Sequence, residues 1–70
     1  MEVTTGDIGL VLWCLNLHGD GPQTMAPHLP DYMTVARTTE VLQEAEARGL
    51  VRELRGTWAL TAAGRAYLDE

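Results

Sequence analysis

Apolar positions along the first quarter of the chain fall on two sides of one helix. Ile8, Val11, Leu12 and Leu15 make one stripe at helical spacing, and Leu10, Trp13, Cys14 and Leu17 make a second on the opposite side. Gly9 and Asn16 separate the two along one edge. The pattern predicts a helix capped by Thr4 or Thr5, with Asp7 in its first turn, where a negative charge suits the helix dipole. The cluster Gly19-Asp20-Gly21-Pro22 ends it after His18. A helix that is apolar on both sides must be covered on both. One side faces the core. The other calls for a neighbour, most simply a second copy of the chain, so Leu10, Trp13, Cys14 and Leu17 are the expected interface.

The rest of the pattern is shorter in period. Residues 23–29 (QTMAPHL) predict a brief or irregular second helix, because Pro27 is tolerated only near a helix start. Pro30-Asp31 makes a turn. A third helix begins near Met33 or Thr34 and runs to Arg48, with Val35, Thr38, Val41, Leu42 and Ala45 on its inward face and Gly49 as its C-terminal cap. Leu50 to Leu54 and Thr57 to Leu60 read as two strands joined by the two-residue turn Arg55-Gly56. Thr61 caps a last helix over AAGRAYLDE, and Gly64 is placed to let that helix pack closely on the hairpin. The expected architecture is a single α+β domain over residues 1–70, mostly helical: three helices, a short two-stranded hairpin and a C-terminal helix.

Composition narrows the partners. A chain of 70 residues buries only about 60% of its extended surface, so a partner that adds apolar contact stabilises it. The net charge is −5, and all five bases are arginine: Arg37, Arg48, Arg52, Arg55 and Arg65. Residues 1–36 carry four acids and no base, so the acidity sits in the first half. Affinity for nucleic acid comes largely from neutralised phosphates, so a single copy is expected to hold DNA weakly. The longest apolar run, Leu10 to Leu15, is far short of a membrane span, and the acidic N-terminal residues do not suit a signal or transit peptide. One cysteine excludes an internal disulfide, and a cytoplasmic protein is the simplest expectation.

Two segments carry a family resemblance. Residues 42–51 (LQEAEARGLV) resemble the end of the recognition helix and the first wing strand of many bacterial regulators. Residues 58–68 (WALTAAGRAYL) look like their second wing strand and following helix, where Leu-Thr, two residues and Gly recur. The resemblance is to the MarR-like and PadR-like winged helix-turn-helix families, and it spans roughly residues 23–68. It implies that the third helix lies in a major groove of double-stranded DNA and that the hairpin reaches the backbone or minor groove. The matching positions are Thr34, Ala36, Arg37, Thr39 and Glu40 on the helix and Arg55, Gly56 and Thr57 on the hairpin. Arg37 would meet a guanine edge, Thr34 and Thr39 phosphates, and Arg55 the adjoining groove. The departures are Glu40, at a position often basic in these families, a short wing tip, and a chain without the long dimerisation helices. A transcriptional regulator acting as a homodimer through the first helix is one expectation. The other is a winged-helix protein-interaction module, an accessory subunit or inhibitor of a larger machine, that does not bind DNA.

Other chemistry is thin. Cys14 and His18 are four apart and His28 is near in sequence, but structural zinc takes four ligands at short spacing, so no metal is expected. No nucleophile–base pair or phosphate loop stands out, so neither an enzyme nor a cofactor is expected. Arg37, Glu40, Glu44 and Arg48 fall at spacings that favour ion pairs along one helix face, which competes with any use of Arg37 on DNA. Trp58 reads as a core aromatic, and Tyr32 as either a phosphate contact or turn packing.

Overall fold

Thr4 caps the first helix, α1 (Thr5–His18), by accepting a hydrogen bond from the Asp7 N–H (3.1 Å), while the Asp7 carboxylate accepts from the Thr4 N–H (3.3 Å). This reciprocal box uses two of the helix's orphan donors. In the computed structural model, which describes residues 2–69, α1 is followed by α2 (Pro22–Met25), a 3-10 turn at Ala26–His28, α3 (Val35–Ala47), β1 (Val51–Leu54), β2 (Thr57–Leu60) and α4 (Ala62–Leu68). Four helices and one antiparallel two-stranded sheet form a compact, mostly helical α+β domain. Glu70, included above in the last helix, lies outside the described residues.

The second helix is shorter than the segment 23–29 allows. Pro27 lacks an N–H, and the α-helical ladder gives way at Ala26 to the tighter turn. Thr24 organises its start: the Asp20 and Gly21 N–H groups both donate to the Thr24 Oγ1 at 3.2 Å, and that hydroxyl donates to the Gly21 carbonyl at 2.9 Å.

The end of α3 is closed by backbone geometry that needs glycine. Gly49 stands at φ 77°, and its N–H donates to the Glu46 carbonyl (2.9 Å) while the Leu50 N–H donates to the Ala45 carbonyl (2.9 Å). That is a Schellman closure, and it turns the chain directly into β1. β1 pairs with β2 in the register Val51↔Leu60, Arg52↔Ala59, Glu53↔Trp58, Leu54↔Thr57. Arg55 (φ 55°) and Gly56 (φ 82°) both adopt positive φ, the geometry of a two-residue type I′ hairpin. The hairpin is tied to the first half of the chain by the Trp58 N–H, which donates to the Asp20 carbonyl at 2.7 Å.

The core is built on α1. Ile8, Val11, Leu12, Cys14 and Leu15 are buried against Met25, Val41, Leu42, Ala45, Val51 and Trp58. α4 closes it at one junction. The Thr61 hydroxyl accepts from the Gly64 N–H (3.1 Å) and donates to the Gly49 carbonyl (2.7 Å), and the Thr61 N–H donates to the Leu50 carbonyl (3.0 Å). That carbonyl lies over α4 so closely that a Cβ on Gly64 would overlap it. Gly64→Ala is therefore expected to cost about 1–3 kcal/mol. Gly6→Ala on α1, whose added Cβ would meet the Thr4 Oγ1 at an ordinary 3.7 Å, is expected to be neutral or stabilising by up to about 1 kcal/mol. Urea unfolding of the two variants checks the contrast.

Candidate nucleic-acid interface on the third helix and the hairpin

Thr34 caps α3, accepting from the Arg37 N–H at 3.1 Å. The Thr38 hydroxyl, buried, donates to the Thr34 carbonyl (2.8 Å), and the Thr39 hydroxyl to the Val35 carbonyl (2.9 Å). All three hydroxyls are thus engaged within the helix itself. The phosphate contacts that the resemblance implies for Thr34 and Thr39 compete with these bonds.

Arg37 is drawn further from its expected place. Its side chain is only 13% exposed. One guanidinium nitrogen donates to Glu40 Oε2 (3.1 Å); the other donates to the Glu2 carbonyl (2.6 Å) and to Asp7 Oδ2 (3.2 Å). The pull comes from the α1 cap. Asp7 is held ionised, its carboxyl lowered below the usual range first by the Thr4 backbone N–H and further by the Thr4 hydroxyl and Arg37, against a contrary effect of desolvation. Arg37 therefore clasps the start of α3 to the start of α1. Of the ion-pair ladder on α3, Arg37–Glu40 and Glu44–Arg48 (2.9 Å) are present. Glu46 instead accepts from the Glu53 N–H of β1 (3.2 Å).

What remains exposed on α3 is Val35, Ala36, Glu40, Gln43, Glu46 and Ala47, with Thr39 and Glu44 half-exposed. Val35, expected inward, is exposed because the core line of α3 starts one turn later, at Thr38. The sequence reading also passed over Arg52. Strand alternation could have found it: with Val51 buried, Arg52 and Leu54 share the opposite face of β1, and both are exposed. Arg52, Leu54, Arg55, Thr57 and Ala59 line a shallow depression of about 450 Å³ on the hairpin. Arg55, Gly56 and Thr57 are exposed, as expected of a tip. Among the described residues the ion pairs involve Arg37 and Arg48, and none involves Arg52, Arg55 or Arg65.

The expected interface on α1 divides. Trp13 and Leu17 are 51% and 54% exposed. Leu10 is half-buried against the core. Cys14 is fully buried, its Sγ 3.8 Å from the Met25 carbonyl it donates to, and burial pushes its thiol up; it belongs to the core and not to an outward surface. The reason is α2, which folds back over the second stripe and covers its Cys14 edge.

His18 and His28 do meet, as parallel rings 3.7 Å apart and 7° from coplanar, but Cys14 turns to Met25 instead. Among the described residues no group of three or more His, Cys, Asp or Glu is placed to hold a metal ion. Trp58 is buried in the core and Tyr32 is exposed. No helix among the described residues is long and apolar enough to cross a membrane. Comparison of the chain with family models, with curated proteins and with solved structures gave no match.

The clasp makes two variants informative. Arg37→Ala is expected to lower the melting temperature, by about 4–8 °C for each kcal/mol lost in a domain of this size. Because the Asp7 carboxyl is lowered in the folded chain, its contribution is complete above the usual carboxylate range and is lost as pH falls through its folded value. Asp7→Asn should flatten the acid side of the stability profile, measured by thermal melts between neutral pH and about pH 3. An unchanged acid limb would show that the box and clasp contribute nothing.

Proposed function

We propose that the chain is a winged helix-turn-helix domain that binds double-stranded DNA as a homodimer and acts as a transcriptional regulator in the cytoplasm. In this reading α2 and α3 form the helix-turn-helix, the β1–β2 hairpin is the wing, and α3 enters the major groove. One observation carries it: Arg55 stands at the hairpin tip in left-handed backbone, where a non-glycine residue costs about 1 kcal/mol, with Arg52 exposed on the same hairpin and neither in an ion pair among the described residues. An asparagine or glycine would suit that turn better, so a conformationally costly arginine there argues for a use of its charge. The backbone contact thus moves from Thr34 and Thr39 to the hairpin, and two copies double it.

The test is fluorescence anisotropy of a mixed-sequence duplex at low salt. The Arg52→Ala, Arg55→Ala double variant should bind at least about tenfold more weakly, with a salt dependence shallower by about two counterions per copy. Arg55→Asn separates the two roles of the residue: it should be as stable as the parent or more so, and bind less well. A wild-type protein that ignores every duplex at low salt ends the DNA reading.

Trp13 and Leu17 favour a second reading, a protein-interaction module without DNA. Two large apolar side chains lie open on a helix that bears no charge between Asp7 and His18, and α3 faces outward with Glu40 and no base. Homodimerisation through the same strip belongs to the first reading. Sedimentation over a concentration series distinguishes them: wild type that dimerises and a Trp13→Glu variant that stays monomeric support the homodimer, whereas a strictly monomeric wild type leaves the strip for another protein.

A further inference from the structure

We infer that the base-reading face of α3 selects A·T pairs through thymine methyl groups and cannot read guanine by the usual arginine contact. The inference rests on the DNA reading above. Guanine is recognised in the major groove chiefly by a bidentate arginine or lysine. The chain has no lysine. α3 holds Arg37 alone, because Arg48 lies beyond its last residue and pairs with Glu44. The Arg37 guanidinium is drawn to Glu2 and Asp7 at the start of α1 and to the exposed Glu40 on α3 itself.

Glu44 and Glu46 are open toward the end of α3, and the exposed groups of its first turns are of a different kind. Val35 is 39% exposed and Ala36 lies beside it; both present only methyl groups. Thr39 commits its hydroxyl to the Val35 carbonyl, which leaves its methyl as the group free for contact. These are the side chains that pack on the C5-methyl of thymine. Gln43, two turns further along and exposed, carries the amide that pairs with the N6 and N7 of adenine. Glu40 accepts from Arg37, which offsets its charge near the phosphates and occupies one carboxylate oxygen. Arg52 and Arg55 on the hairpin then hold the backbone without regard to sequence.

The experiment compares three duplex pools of equal length and charge by competition anisotropy at one salt concentration: A·T-only, G·C-only, and the A·T pool with uracil in place of thymine. Equal phosphate number cancels the counterion effect, so differences report bases. The A·T pool should bind about fivefold or more tighter than the G·C pool, and uracil should remove most of that preference. Gln43→Ala should reduce the preference with the melting temperature unchanged, and Arg52→Ala should weaken all pools alike. Equal binding to all three pools overturns the inference and leaves the DNA reading standing. A preference for A·T that survives both uracil and Gln43→Ala also overturns it, since the minor groove is unaltered by either change and the hairpin arginines would be its source. Binding to none of the pools removes the DNA reading itself.

Discussion

α2, α3, β2 and α4 all pack on α1, and the domain exists because one helix is apolar on nearly every side. A chain this short has too little surface to build a core from several half-apolar layers. It concentrates its apolar residues in one central helix and wraps the rest of the chain around it. Trp13 and Leu17 are what the wrapping leaves over. Two open side chains are a much narrower strip than the full second stripe of four, and any pairing through α1 alone is correspondingly slight compared with a standard interface.

The local chemistry of the fold was readable because each signal is satisfied within a few residues. Thr4, Thr34 and Thr61 each accept from the N–H three positions on. Gly49 and the Arg55-Gly56 pair take the positive φ values that their closures require. Gly64 was placed correctly for the same kind of reason, because a helix starting directly after a strand must lie close to it. What escaped was a set of side-chain and backbone contacts that join distant residues. Arg37 reaches Asp7 across thirty positions, Trp58 reaches the Asp20 carbonyl, and His18 stacks on His28. Periodicity says which side of a helix faces inward, and it is silent on which partner waits there. Cys14 shows the consequence: it was assigned to the outward stripe by angle alone, and α2 covers it.

The same limit governed the candidate site. Reading α3 by position offered Arg37, Thr34 and Thr39 as contact groups. In the folded chain the hydrogen-bonding capacity of each is directed to an acceptor or donor supplied by the fold, and charged partners outcompete water for a guanidinium. The i, i+3 spacing of Arg37 and Glu40 hinted at this, but only the added carboxylate of Asp7 makes the diversion strong. The capping box therefore has two effects. It begins α1, and by fixing an ionised carboxylate there it removes the one cation from the face of α3.

Arg52 and Arg55 acquire their significance by contrast. Six of the chain's acids lie in the same half as its five arginines, so an arginine without an ion pair is not a consequence of scarce partners. Arg55 stands exposed at the type I′ tip, and the strand holds Arg52 open to solvent. Neither position serves the core, and Arg55 works against its own turn. A fold that satisfies its other polar groups so locally, and leaves no buried side-chain donor or acceptor unpaired among the described residues, has no internal use for these two charges. On the reading proposed above, these two charges are the groups that would meet a nucleic-acid backbone.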